Sequence, residues 1–200
     1  MSEIVLAGFL RFVCALLIAL WTAGCGPTAP VFRNSDVTGS DCCKDFRLTD
    51  HNGKTRMLAD FRGKAVVVFF GYTQCPDVCP TTLMEIKAAL QQLGADSKRV
   101  QVLFISVDPE RDTRELLANY VPAFDADFLG LFGDAAATEK TAKEFRVYYQ
   151  KQAGSTPGSY TVDHTAGSYV FDAQGRVRLF VRHGQAENLA EDLRTLLRQG

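Results

Sequence analysis

Two apolar runs joined by a helix-forming segment constrain the fold of this chain more than any other feature. Ala65–Phe70 and Val100–Val107 are rich in β-branched and aromatic residues, as in strands that are buried on both faces of a sheet. Between them, Thr81–Leu93 repeats apolar residues at helical spacing. A strand, a helix and a second strand in this order predict a parallel pair with a crossover helix.

The rest of the chain continues this alternation. Three further segments have helical periodicity or capping signals: Thr113–Tyr120 with Asp112 as its N-cap, Ala135–Phe145, and the leucines of residues 189–197. Four further segments have strand patterns: Phe46–Leu48, Phe128–Phe132, and a hairpin of Ser168–Phe171 and Arg176–Val181. This order predicts an α/β chain with a thioredoxin-like fold, in which helices flank a central mixed sheet.

The N-terminal segment has the pattern of an export signal. Phe12–Ala23 is apolar except for Thr22, and it is shorter than the ~20 residues that a spanning helix needs. Arg11 precedes the run, and Ala23-Gly24 stand before Cys25. This resembles a bacterial lipoprotein signal, so we expect residues 1–24 to be a lipoprotein-type signal peptide and Cys25 to be lipidated. The alternative is an uncleaved membrane anchor.

Residues 25–40 are rich in proline, glycine and serine, so we expect a flexible tether before a thioredoxin-like domain of residues 41–200. With either form of N-terminus, the domain is expected to be tethered on the periplasmic side of a bacterial membrane. The net charge is −1 and no basic block occurs, which argues against a nucleic acid as partner. The six cysteines are too few and too unevenly spaced for a disulfide-stapled scaffold.

Two cysteines follow the first buried strand, at the edge of the sheet where sites collect in such folds. Cys75 and Cys79 are each followed by a proline, and Pro80 fits the first turn of the next helix. Both thiols therefore lie near a helix N-terminus, which favours thiolates. Thiolates bind soft metals and also exchange disulfides. The spacing exceeds that of Cys-x-x-Cys reductants by one residue, which leaves room for a metal; an inert pair is the alternative.

The chain has three histidines. His51 lies in a polar turn and His183 at a strand end, and both are expected to be exposed. His164 precedes the last hairpin, in the loop that faces the cysteines in thioredoxin-like proteins and usually carries a cis-proline. The nearest proline is Pro157, so an imidazole stands near that place. Two thiolates and one imidazole form a trigonal set suited to Cu(I) and Cu(II), whereas zinc prefers a fourth ligand.

These segments resemble the Sco/SenC family of copper chaperones for cytochrome c oxidase, over about residues 45–194. The resemblance rests on five stretches: residues 46–50, 69–73, Cys75-Pro76-Asp77-Val78-Cys79-Pro80, 106–113, and Val162-Asp163-His164-Thr165. It implies that Cys75, Cys79 and His164 bind one copper ion, and that Cys75–Cys79 is a redox-active disulfide without metal. It also implies a role in building the CuA centre of oxidase subunit II, by delivering copper, by reducing the CuA cysteines, or both.

Three acidic residues are candidates for supporting roles, each with a simpler alternative. Asp163 is expected either to orient His164 or to shape a turn. Asp77 is expected either to tune the charge of the site or to favour the loop conformation. Asp108 is expected either to lie near the site or to have a turn or cap role. Adjacent Cys42 and Cys43 depart from the family pattern. We interpret them as incidental, with an accessory thiol pair as the alternative.

Other functions remain open at this point. The chain is not expected to be a conventional enzyme, but it could be an extracytoplasmic thiol–disulfide oxidoreductase that needs no copper. The wide cysteine spacing and the absent cis-proline argue against this. A peroxiredoxin is excluded because the threonine expected three residues before its reactive cysteine is Tyr72 here. A redox or copper sensor with no delivery role is a third hypothesis.

Overall fold

A computed structural model describes residues 30–199 of the 200-residue chain. The expected signal segment and Cys25 therefore lie outside the described residues. Contacts divide the chain into Met1–Val31 and Phe32–Gly200, and all elements below belong to the second unit. Among the described residues, no helix combines the length and apolar character needed to cross a membrane.

Ten strands and four α-helices make up the folded unit. The strands are β1 (Ser35–Asp36), β2 (Leu48–Asp50), β3 (Thr55–Arg56), β4 (Ala65–Gly71), β5 (Val100–Ser106), β6 (Leu129–Phe132), β7 (Tyr149–Ala153), β8 (Tyr160–His164), β9 (Gly167–Phe171) and β10 (Val177–Arg182). The helices are α1 (Val78–Leu93), α2 (Arg114–Tyr120), α3 (Ala135–Glu144) and α4 (Leu189–Leu197). Short 3₁₀ segments occupy Leu58–Phe61, Gly94–Arg99 and Ala186–Asn188.

Eight strands form one mixed sheet in the order β1-β10-β9-β4-β5-β6-β2-β3. Strands β4, β5 and β6 are parallel, whereas β9 pairs antiparallel with β4. Every residue of β4 is buried, because helices cover a central parallel strand on both faces. The expected thioredoxin-like α/β architecture is thus confirmed. It brings the carboxyl ends of β4 and β5 together, where the cysteine loop begins.

The remaining strands, β7 and β8, form a separate antiparallel ribbon that pairs Tyr149 with His164. The sequence analysis placed no strand here. Four of the five residues of β8 and all five residues of β7 are partly or fully exposed. Neither strand therefore carries the apolar run that marks a buried strand. This ribbon carries the histidine of the site.

Two hairpin turns of the sheet are built alike. Asp50 closes the β2–β3 turn and Asp172 the β9–β10 turn; each carboxylate accepts backbone N–H bonds from residues two and four positions ahead, at 2.9–3.0 Å. Arg56 and Arg176 each donate to the second carboxylate oxygen at 2.8 Å. Burial alone would raise the pKa of each aspartate, but these hydrogen bonds and cations outweigh it and lower both pKa values.

The folded unit begins earlier than the expected boundary at residue 41. β1 pairs with β10, and the backbone N–H groups of Arg33 and Asn34 donate to the carboxylate of buried Asp192 at 2.7 and 2.9 Å. These bonds fix the second half of the predicted tether against α4. The proline, glycine and serine content of residues 25–40 indicates a polar segment. It does not reveal hydrogen bonds to residues that are distant in sequence.

Two helix starts also differ from expectation. α1 begins at Val78 rather than Thr81, and its N-cap residue is Asp77, so both Cys79 and Pro80 lie in its first turn. Thr113, not Asp112, caps α2 by accepting the Leu116 N–H at 3.3 Å. Asp112 is instead buried beneath the cysteine loop.

Candidate metal centre

The cysteine loop connects β4 to α1. It is fixed at its start by the Val107 N–H, which donates to the Gly71 carbonyl at 2.9 Å. A Cβ atom at Gly71 would lie only 2.8 Å from Cys79 Sγ and 2.9 Å from the Phe104 ring. Glycine is therefore required here because the sulfur packs directly on the strand backbone. This close approach buries Cys79 completely, whereas Cys75 is partly exposed.

The two sulfurs have opposite electrostatic environments. A hydrogen bond from Cys79, together with bonds from the backbone N–H groups of Asp77 and Cys79, overcomes desolvation and lowers the pKa of Cys75 to about 3. The Cys79 N–H lies 3.4 Å from Cys75 Sγ. The hydrogen bond to Cys75 and its own burial raise the pKa of Cys79. The pair therefore holds one proton, with Cys75 as the exposed thiolate and Cys79 as the buried thiol.

His164 is the last residue of β8 and completes the cluster. Its Nε2 atom lies 3.4 Å from Cys79 Sγ. Its Nδ1 atom lies 3.2 Å from the Thr165 carbonyl oxygen, which can only accept a hydrogen bond, so Nδ1 carries the hydrogen and Nε2 offers its lone pair. The rings of Phe69 and Tyr72 meet the imidazole edge-on at centroid distances of 6.1 and 6.0 Å, which fixes its orientation.

The ligand atoms of Cys75, Cys79 and His164 all lie within 4.8 Å of one another. A trigonal site with metal–sulfur bonds near 2.3 Å separates its ligand atoms by about 4 Å. The three side chains could therefore hold a metal ion with small rotations. Two sulfurs and one imidazole nitrogen suit a soft or borderline ion.

The three supporting acids occupy different positions. Asp77 is the N-cap residue of α1, and its carboxylate accepts a hydrogen bond from Thr81 Oγ1 at 3.3 Å. Asp163 is exposed on β8, and among the described residues no hydrogen bond joins its carboxylate to His164, which is oriented by Thr165 instead. Asp108 is fully buried and accepts a hydrogen bond from Tyr160 Oη at 2.8 Å.

Arg111 joins the two halves of the site, a role the sequence analysis missed. Its guanidinium pairs with Asp108, lies 3.5 Å from the Tyr160 ring centroid, and donates to the Tyr160 carbonyl at 2.9 Å. On the other side it donates to Gln74 Oε1 at 3.1 Å and lies 5.6 Å from the Tyr72 ring. It thereby connects the cysteine loop to the ribbon that carries the histidine.

Asp112 supports the cysteine loop from below. Its carboxylate accepts hydrogen bonds from the Thr73 N–H at 3.1 Å, from Thr73 Oγ1 at 2.6 Å and from Ser106 Oγ at 2.6 Å. Burial raises the pKa of this carboxyl group. The sequence analysis assigned Asp112 to a helix cap, because a local pattern does not reveal partners that lie up to 39 residues away.

The other two histidines belong to different structures, and both expectations of exposure were wrong. His51 is buried, and its Nδ1 accepts the Gly130 N–H at 3.0 Å; burial lowers its pKa. His183 is partly buried, with Nδ1 2.9 Å from Thr82 Oγ1 on α1. Each histidine links two elements of the fold, which a turn or strand-end pattern does not reveal.

Comparison with known proteins identifies relatives of this chain. A mitochondrial SCO2 homologue from Bos taurus is 39% identical over 153 residues, which are 75% of this chain and 58% of the relative. The chain thus spans less than two thirds of that relative's length. The solved structure of Bradyrhizobium japonicum ScoI with copper bound is 44% identical with a TM-score of 0.70, and the match covers 76% of this chain and 98% of that one.

A third comparison supports the fold alone. The structure of BsSco, described as a member of the Sco family of cytochrome c oxidase assembly proteins with a disulfide switch, is 20% identical with a TM-score of 0.63; the match covers 84% of this chain and 100% of BsSco. The profile of the SCO1/SenC family matches residues 35–198, which is nearly all of the folded unit. On this match, the chain belongs to the SCO1/SenC family.

Proposed function

We propose that this protein binds one copper ion, Cu(I) or Cu(II), through Cys75 Sγ, Cys79 Sγ and His164 Nε2. The observation that carries the proposal is the convergence of these three atoms within 4.8 Å. The copper-bound state of the similar ScoI structure supports the choice of metal. Metal binding displaces the proton held by the pair, so both sulfurs are thiolates in the loaded site.

The site binds copper only while both cysteines are reduced. Oxidation joins the two sulfurs, removes two protons and two electrons, and leaves the imidazole as the single remaining ligand. When the reduced pair passes these electrons to a partner's disulfide, the partly exposed Cys75 thiolate attacks that disulfide and Cys79 resolves the mixed disulfide, so the partner is reduced as the Cys75–Cys79 bond forms. The same residues therefore serve metal transfer and thiol–disulfide exchange.

The partner we propose is the CuA domain of cytochrome c oxidase subunit II. Family membership supports a role in oxidase assembly, in which this protein delivers copper, reduces the CuA cysteines, or does both. The lowered pKa of Cys75 favours keeping a copper-free oxidoreductase as the second candidate. A protein of that kind would exchange disulfides normally and would bind no copper tightly.

The decisive experiment is a titration of the reduced protein with Cu(I) and Cu(II). The parent is expected to bind one ion tightly, whereas Cys75→Ala and His164→Ala bind weakly. His183→Ala is the matched control, because this imidazole contacts Thr82 rather than the cysteines. A parent without tight binding would refute the copper proposal and leave the oxidoreductase. Transfer to a purified CuA domain, followed by CuA absorbance, then separates a chaperone from a copper store or sensor.

We further propose that Cys25 is lipidated after removal of residues 1–24, and that the remaining segment tethers the domain on the periplasmic side of a bacterial membrane. Mass spectrometry of the mature N-terminus tests this proposal. A lipid-modified Cys25 at the N-terminus is expected. An N-terminus that still begins at Met1 would instead indicate an uncleaved anchor.

A further inference from the structure

A second pair of thiols lies outside the candidate metal centre. Cys42 and Cys43 are both buried, and their Sγ atoms are 2.6 Å apart. Adjacent cysteines do not ordinarily point their sulfurs at each other, because successive side chains of an extended chain diverge. The local backbone must therefore turn to bring these two sulfurs together.

The backbone of Cys43 makes that turn. Its φ angle is +63°, in the left-handed region that disfavours residues with a Cβ atom and in which glycine is the usual choice. The conformation is held by the Cys43 N–H, which donates to the Glu144 carbonyl at 2.9 Å, and by the Lys44 N–H, which donates to Glu144 Oε1 at 2.8 Å. The structure thus keeps a cysteine in a costly conformation and anchors it on α3.

The pair is also accessible to a small reagent. Cys42 and Cys43 line an open cavity of about 640 Å³, together with the cationic residues Lys44, Arg176 and Arg178. Cys42 is the more exposed of the two, at 9% against 2% for Cys43. Burial raises the pKa of Cys43, and the hydrogen bond with the neighbouring Cys42 raises it further. Cys42 is therefore the sulfur that reacts first.

We propose that Cys42 and Cys43 form a reversible disulfide by exchange with small disulfides of the glutathione type, as a second redox centre independent of Cys75 and Cys79. The Cys42 thiolate attacks one sulfur of the small disulfide, breaks its S–S bond and releases one thiolate. The Cys43 thiolate then attacks the Cys42 sulfur of the mixed disulfide and releases the second. The two cysteines are oxidised, one small disulfide is reduced to two thiols, and the two cysteine protons end on those thiols.

The covalent geometry of neighbours explains why this bond is reversible. Consecutive Cα atoms are about 3.8 Å apart, below the range of about 4.4–6.8 Å of ordinary disulfides. A bond between neighbours is strained for that reason, and strained disulfides are reduced readily. We expect the Cys42–Cys43 bond to open at a lower concentration of reductant than the Cys75–Cys79 bond.

The test uses the full chain carrying Cys75→Ser and Cys79→Ser, so that its outcome does not depend on the copper proposal. The protein is treated with oxidised glutathione, alkylated and cleaved by trypsin after Arg33 and Lys44, which releases one peptide with Cys42 and Cys43 as its cysteines. The expected peptide carries no alkyl group and is lighter than the reduced peptide by two hydrogen atoms. Dithiothreitol should restore two alkylation sites.

A matched variant and two outcomes make the test decisive. Cys42→Ser leaves Cys43 unable to close the ring, so its peptide should carry an alkyl group or a glutathione adduct. The proposal would be overturned if the parent peptide remained doubly alkylated after oxidation. It would equally be overturned if glutathione stayed attached or if the cysteines joined two chains.

Discussion

Cys75 and Cys79 differ in reactivity although they are four residues apart in one loop. Cys75 is partly exposed and accepts hydrogen bonds from neighbouring N–H and S–H groups, whereas Cys79 is sealed against Gly71. Hydrogen bonds that a sulfur accepts stabilise its thiolate, whereas the hydrogen bond that Cys79 donates to Cys75, together with burial, stabilises the Cys79 thiol. The loop therefore presents the Cys75 thiolate at the surface and keeps Cys79 as a buried thiol.

This asymmetry predicts selective alkylation of the copper-free, reduced protein. At pH 6, iodoacetamide should modify Cys75 at least about tenfold faster than Cys79, because the thiolate is the reactive form. Since the pKa of Cys75 is about 3, its rate should be nearly flat from pH 5 to pH 8, whereas an ordinary thiol accelerates with pH. Tandem mass spectrometry of the peptide that contains both cysteines measures the two rates, and equal labelling would contradict the prediction.

At the scale of elements, the site is a junction between the cysteine loop and the β7–β8 ribbon. Arg111 spans this junction through Gln74 on one side and Tyr160 on the other. Its planar guanidinium both stacks and donates several hydrogen bonds, which a lysine cannot do. Arg111 is thus a positioning residue for His164 relative to the thiolates.

Arg111→Lys should accordingly weaken copper binding by about tenfold, within the range of substitutions that disturb the support of metal ligands. It should also shift the sulfur-to-copper charge-transfer band of the Cu(II) form, because the imidazole moves relative to the sulfurs. Arg47→Lys is the control, since Arg47 is exposed. A lower melting temperature with an unchanged spectrum and affinity would mean that Arg111 only stabilises the fold.

The two aspartate turns make the sheet sensitive to acid. The pKa of Asp172 is lowered in the folded protein, so its carboxylate stabilises the fold above the pKa of the unfolded chain, near 3.9, and that contribution is lost as the pH falls through the folded pKa. Asp172→Asn should lower the free energy of unfolding at pH 7 by about 1–3 kcal/mol. Urea melts at pH 7 and pH 3 should show a smaller difference for the variant than for the parent.

The control for this experiment is Asp127→Asn, because Asp127 is exposed and its substitution should leave both melts unchanged. An Asp172→Asn variant with the same pH dependence as the parent would show that Asp172 is not the group whose protonation destabilises the sheet.

The elements that the sequence predicted are those in which the buried residues form a continuous or periodic apolar pattern along the chain. β4, α1 and β5 carry continuous or periodic apolar residues, and their expected bounds differ from the observed ones by a few residues at most. The ribbon escaped prediction because Val162 is its single fully buried residue. His164 could still be placed near the cysteines, since a resemblance supplies a position in the fold where periodicity does not. Arg111 and Asp112 could not, because their partners are distant in sequence.

At the scale of the whole molecule, a copper ion at the proposed site would link two parts of the folded unit, the sheet edge and the ribbon. A ligand that binds only the folded state stabilises it in proportion to the logarithm of its concentration over its dissociation constant. Cu(I) at about 100 times that constant should stabilise the reduced protein by about 2.7 kcal/mol. The oxidised protein should gain almost nothing, since the disulfide removes both thiolates.

Thermal melts of reduced and oxidised protein, with and without Cu(I), measure this dependence. The Cys75→Ala/Cys79→Ala variant should show no copper-induced rise in either state. A comparable rise in the oxidised protein would place the bound ion elsewhere in the chain.

The separation of Cys79 and His164 by 85 residues also sets an order of events during biosynthesis. A chain that emerges N-terminus first presents both thiols of the cysteine loop long before the histidine exists. Until the ribbon docks, those thiols have no third ligand to compete with an oxidant. In an oxidising compartment, the newly made protein would therefore form the Cys75–Cys79 disulfide first. A reductant would then have to open this bond before the site could take up a metal ion.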